Sequence, residues 1–234
     1  VPDTTRLPRL EPVGAEPTAP AAVVLVLHGG RAHSREPGDR SRLTYLRMRP
    51  IARMLAGPGR AVFLLRYRFR GWNGPARDAL RDADWALGEL ARRFPGSPVV
   101  LVGHSMGGRA ALGAAGAPNV VAVCALAPWL DGSDPVRQLD GRTVLIAHGD
   151  RERYTDPRES YAYALRAKQR GVRICRFDVP GGGHFMISRA REWHLIVRRF
   201  VLGLLGVEPE DPVIANALRQ PATSGLRSIL SGTG

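Results

Sequence analysis

Ser105 stands at the centre of Gly103-His104-Ser105-Met106-Gly107, and His184 follows the glycine run 181–183. A serine hydroxyl is a poor nucleophile at neutral pH and becomes a good one when an imidazole within hydrogen-bond reach takes its proton. Gly-x-Ser-x-Gly alone is weak in a chain with 27 glycines. Its setting gives it weight: the apolar run 98–102 precedes it, and a small-residue helical pattern follows from 106. A strand-to-helix turn that tight has no room for side chains at 103 and 107. It lifts the serine above the sheet edge on a strained backbone. Ser105 is the expected nucleophile.

His184 is the expected base, because the glycines before it let an imidazole swing over a neighbouring strand end. The other histidines have plainer tasks. His28 and His104 adjoin the Gly29-Gly30 turn and Ser105, His148 ends a strand, and His194 sits on an amphipathic helix. His33 lies in a polar loop, where it can touch a substrate. A carboxylate after the strand at 143–147 should hold the imidazole tautomer, and three compete for that role. Asp156 makes a capping box with Pro157 and Glu159. Asp150 follows a glycine in a turn, where Asp is common for backbone reasons. Glu152 has no such local task and is far enough past the strand to curl back. It is the preferred acid, with Asp150 as the alternative.

Elements that could position these groups are legible along the chain. Short Val-rich runs at 22–27, 61–66, 98–102, 120–126, 143–147 and 173–179 read as strands buried on both faces. Helical patterns alternate with them at 43–55, 76–94, 106–115, 157–170 and 189–205. The expected fold is α/β: a mostly parallel twisted sheet with helices on both faces. Residues 1–21 read as an extended lead-in, 22–206 as the domain, and 207–234 as a flexible tail with a weak helical stretch at 213–218. About sixteen residues separate the strands ending near 126 and starting at 143, too few for a large helical lid. The loops 31–42 and 67–75 should overhang a site at the carboxyl ends of the strands.

Composition narrows the function classes. The 234 residues with 44% hydrophobic content can bury a substantial core. No run approaches a membrane span, and residues 1–6 lack the pattern of a secretory leader. With Cys124 and Cys175 reading as core residues, a cytoplasmic location is expected. The net charge of +13 is carried almost wholly by scattered arginines. No basic stripe interleaved with aromatics points to nucleic acid, while anionic substrates suit the charge better. No metal or cofactor is expected, since the two cysteines lack ligand spacing. The sequence assigns no oligomeric state.

Over residues 22–205 the chain resembles the α/β-hydrolase family in its small, lidless, dienelactone-hydrolase- or esterase-like form. The resemblance rests on His28-Gly29-Gly30, Gly103-His-Ser-Met-Gly107, His148-Gly149-x-x-Glu152 and Gly183-His184. The family usually places Asp where Glu152 stands. The resemblance implies an oxyanion hole from the amides of Met106 and Gly30, with Arg31 the alternative second donor. It implies a serine hydrolase acting on a small carboxylic ester or thioester. Arg31, His33 and Trp72 are expected to rim the acyl pocket. An acyltransferase or another non-hydrolytic catalyst is the alternative, followed by a non-catalytic binding protein.

Overall fold

Strand β2 (Ala22–Leu27) is buried at every position, and its side chains divide between two cores. Val23, Leu25 and Leu27 face one, and Val24 and Val26 the other, as the two-residue period of a strand requires. In the computed structural model, which describes residues 6–221 and 223–229, six parallel strands share this pattern. They are β2, β3 (Arg60–Arg66), β4 (Val99–His104), β5 (Val120–Leu126), β6 (Thr143–Gly149) and β7 (Arg173–Val179). A seventh, β1 (Arg9–Pro12), pairs antiparallel with β3. The spatial order is β1-β3-β2-β4-β5-β6-β7.

Among the described residues three helices cover each face. On one side α2 (Asp78–Arg93), α3 (Met106–Gly113) and α4 (Pro157–Gln169) bury Leu87, Leu90, Ala110, Tyr163 and Ala167. On the other, α1 (Leu43–Leu55), α5 (Ala190–Leu204) and α6 (Pro212–Arg219) bury Met48, Ile51, Trp193, Phe200 and Leu218. The expected α/β architecture is present. Between β5 and β6 lies only a 3₁₀ turn at Arg137–Leu139, and no helical lid. Among the described residues no helix is long and apolar enough to cross a membrane.

Several limits differ from the sequence reading. Helix α2 starts at Asp78 because a 3₁₀ turn occupies Gly74–Ala76 and Arg77 is left-handed. Strand β6 gains His148 and Gly149 by pairing with Asp178 and Val179. Sheet and core also extend past the limits at 22 and 206. Strand β1 lies before the first. Helix α6, capped by Asp211 through the amides of Val213 and Ile214, lies after the second and packs Ile214, Ala217 and Leu218 into the core. The terminal segments expected at 1–21 and 207–234 fall partly outside the described residues.

Candidate active site

Four of the parallel strands carry the candidate groups just beyond their carboxyl ends, from β2 in the middle of the sheet to β7 at its edge. Strand β2 leads to Gly29-Gly30, β4 to Ser105, β6 to Glu152 and β7 to His184. Ser105 takes φ 56° and ψ −120°, a region L side chains rarely occupy. Its neighbours permit the turn. A Cβ at Gly103 would collide with the Gly107 carbonyl, and one at Gly107 with the carbonyls of Leu27 and His28. The Ser105 amide donates to the Leu126 carbonyl at 2.9 Å, which pins the elbow to β5.

Glu152 and His184 meet behind this elbow. Glu152 Oε1 accepts from the amides of Arg153 and Tyr154, each at 2.7 Å, and of Thr155 at 3.3 Å. That leaves Oε2 to accept from His184 Nδ1 at 2.8 Å. The Glu152 side chain is fully buried. Burial raises its pKa, but the bond to His184 and the backbone amides outweigh this and hold it at about 2. A carboxylate fixed in this way orients the imidazole so that its Nε2 is the free basic nitrogen.

Among the described residues the other two candidate acids make no hydrogen bond or ion pair with the imidazole. Asp150 accepts from the Gly181 amide at 2.7 Å and so ties the Glu152 loop to the His184 loop. The same two loops touch where a Cβ on Gly149 would strike the Gly182 carbonyl. Asp156 caps α4 through the Arg158 amide. His148, deep behind the acid, bonds Ser160 at 2.9 Å and Thr155 at 3.1 Å, and burial, with Arg176 nearby, lowers its pKa to about 3.

Ser105 and His184 line one cavity of about 600 Å³, together with Gly29, Gly30, Arg31, Leu43, Arg47, Arg70, Tyr154 and Phe185. The Met106 amide opens α3, where it has no intrahelical acceptor. No hydrogen bond engages the Gly30 amide among the described residues, whereas that of Arg31 donates to the Arg70 carbonyl at 2.8 Å. A Cβ on Gly30 would strike the Met106 side chain and the Arg70 carbonyl, so this position requires glycine.

Of the three expected rim residues, Arg31 lines the cavity, whereas His33 and Trp72 do not. Trp72 is only 6% exposed. Its amide is held by the Arg31 carbonyl, and its ring packs edge-on to Trp129 beneath the Arg109 guanidinium. His33 is exposed on the loop outside the cavity. The loops 31–42 and 67–75 are laced together by Arg31, Trp72, Asn73, Arg70 and Gly38 amide bonds and by the Arg70–Glu36 ion pair. Pairing of one loop with the other is what turns Trp72 inward.

Sequence reasoning missed Arg47, Leu43, Tyr154 and Phe185. Phe185 follows the base and Tyr154 lies in the acid loop, so adjacency to His184 and Glu152 is a usable signal. Arg47 carries none, because its place depends on how α1 docks. Among the described residues no group of three or more His, Cys, Asp or Glu could hold a metal ion.

Residues 23–230 match the Alpha/beta hydrolase family. Solved structures with the same fold include a protein of unknown function from Agrobacterium tumefaciens, 20% identical, with a TM-score of 0.65 over 86% of this chain and 92% of that one. A serine hydrolase without a lid from Xanthomonas campestris is 18% identical, with a TM-score of 0.62 over 88% and 90%. Thermogutta terrifontis esterase 2, in a structure with propionate bound, is 17% identical, with a TM-score of 0.61 over 87% and 91%.

Proposed function

The chain belongs to the α/β hydrolase family, and from that premise we propose that it cleaves small carboxylic esters or thioesters through an acyl-enzyme on Ser105. The observation that carries this reading is that Ser105 and His184 open on one cavity while Glu152 bonds the far nitrogen of that histidine. In the first step the Ser105 hydroxyl attacks the acyl carbonyl carbon, and His184 Nε2 takes its proton. The amides of Met106 and Gly30 receive the oxyanion, where preorganised donors are worth more than in water. The tetrahedral intermediate collapses as His184 protonates the departing alcohol or thiol. Water then enters, gives its proton to the same nitrogen, and releases the acid and the serine.

A small acyl group suits an open cavity of about 600 Å³ without a helical lid. The esterase structure that holds propionate supports the same size class. A fluorophosphonate probe should attach to Ser105, as located by peptide mass spectrometry, and a panel of nitrophenyl esters should fall in rate with acyl length. Ser105→Ala should lower kcat by about 10⁶, the scale set by loss of a triad serine. Labelling elsewhere, or hydrolysis surviving in Ser105→Ala, would place the chemistry on another residue. Transfer of the acyl group to an added alcohol in preference to water would make the enzyme an acyltransferase.

A further inference from the structure

We propose that Arg47 is the receptor for an anionic group, of the carboxylate class, on the ester that Ser105 attacks. The proposal deepens the hydrolase reading and rests on it. Arg47 lies on α1, one turn after Leu43, and both line the cavity that holds Ser105 and His184. Its guanidinium carbon sits 4.9 Å from the centre of the Phe185 ring, beside the base. Nη1 is buried with no hydrogen-bond partner, and among the described residues Arg47 makes no ion pair.

A half-buried guanidinium on a cavity wall without a counter-ion is a place where an anion gains charge-assisted hydrogen bonds. Burial lowers the Arg47 pKa from its ordinary value, although a guanidinium stays charged at any physiological pH. The neighbouring arginines are in a different condition. Arg70 and Arg42 share Glu36, and Arg31 is exposed on the rim. Asp39, the acidic side chain on the cavity wall, is occupied by the amide and hydroxyl of Ser41. The Glu152 charge is taken up by His184 and three amides. His104 is uncharged, with burial the main cause and Arg47 a contributor.

An entering ligand therefore meets four arginines and one aspartate on the walls. Phe185 lies against one face of the guanidinium, and the fork of guanidinium N–H groups matches the two oxygens of a carboxylate. Esters that carry a free carboxylate, such as half-esters of dicarboxylic acids, fit both the size of the cavity and its charge.

The test compares monomethyl adipate with dimethyl adipate, scoring released methanol. The wild type should favour the half-ester in kcat/KM by about tenfold or more, and Arg47→Met should abolish that ratio. A structural role for Arg47 would lower both rates together and leave the ratio standing. Arg47→Lys keeps the charge without the fork and should give an intermediate ratio. Without any substitution, raising salt from about 0.05 to about 0.5 M should shrink the preference several-fold. Calorimetry of monomethyl adipate on Ser105→Ala, with and without Arg47→Met, reads the anion site apart from turnover, and binding should weaken by about tenfold or more. If Ser105 is not labelled and no ester is cleaved, the hydrolase reading fails while the calorimetry still decides the anion site. Equal affinity in the two variants, or a neutral ester preferred by the wild type at low salt, would overturn the assignment of Arg47.

Discussion

His104 Nε2 lies 2.8 Å from the carbonyl oxygen of His184, so the residue before the serine holds the main chain of the residue proposed as base. A carbonyl only accepts, so Nε2 carries the hydrogen. Burial, with His184 next in weight, lowers the His104 pKa to about 3. The bond joins the end of β4 to the loop after β7.

His104→Leu should therefore loosen His184 without touching substrate. Steady-state kinetics should show kcat reduced by about 10- to 100-fold with KM nearly unchanged, the signature of a misplaced catalytic group. His104→Gln, whose amide nitrogen reaches about as far as Nε2, should recover most of the loss. Equal activity in the Leu and Gln variants would show that the bond contributes nothing to placement.

The three amides on Glu152 Oε1 make a sharp forecast for Glu152→Gln. They need an acceptor, so the new amide must place its oxygen toward them and its NH₂ toward His184. Two donors then face each other at Nδ1, and the ring is driven into the tautomer with its proton on Nε2. A base that already carries its proton cannot take another, and kcat should fall by about 10⁴. Asp150→Asn retains an acceptor for the Gly181 amide and should be mild. Asp156→Ala should cost about 1 kcal/mol of stability for a lost cap, with activity retained. If Asp150→Asn is the crippling change while Glu152→Gln is silent, the acid has been misassigned.

Backbone strain at Ser105 predicts a trade between stability and activity. A non-glycine residue at φ 56° and ψ −120° costs about 1–3 kcal/mol. Ser105→Gly should remove most of that and raise the unfolding free energy by about 1 kcal/mol, net of the glycine's extra chain entropy. It should also abolish hydrolysis. Ser105→Ala keeps the Cβ and should stay near the wild type in stability. A denaturant titration of the three proteins that ranks glycine below alanine would show that the elbow is not strained.

What the sequence made legible follows from how local each signal is. Unbroken apolar runs mark strands such as 22–27 and 120–126, and these match β2 and β5 residue for residue. The elbow at Ser105 and the cap at Asp156 are written within five residues. Trp72 is the opposite case. Whether its ring faces ligand or core is decided by bonds from the 31–42 loop, some forty residues upstream. Arg47 is similar, because a helix pattern gives the face but not the docking of α1 beside Phe185. Helix α6 reads as only a weak stretch because Pro, Ser, Gly and Thr dominate the tail around it, yet Asp211 caps it and the Lys168 ammonium bonds its Ala217 carbonyl at 3.1 Å. Long-range partners supply what the local pattern lacks.

Three buried histidines make stability fall in mild acid, before most carboxylates titrate. Burial is the main cause in each, lowering the pKa to about 4 for His28 and about 3 for His104 and His148, from 6.5. A depressed histidine protonates first in the unfolded chain. Stability is therefore whole above pH 6.5 and declines as pH falls toward 4, as these three rings, and half-buried His194 in the same sense, bind protons on unfolding. Each contributes about 1.4 kcal/mol per pH unit within the window. Glu152 adds to the loss lower down, because its folded pKa of about 2 lies below its ordinary 4.5. Asp82, Asp84 and Asp134 are raised by burial and act in the opposite sense, in the carboxylate range. Between pH 6.5 and 5 the histidines dominate. Melting temperatures recorded from about pH 8 to about pH 5 should hold steady and then drop below 6.5. His148→Gln can still bond Ser160 and Thr155 and should reduce the slope by about a third. A melting temperature flat down to pH 5 would mean that these rings protonate in the fold as readily as outside it.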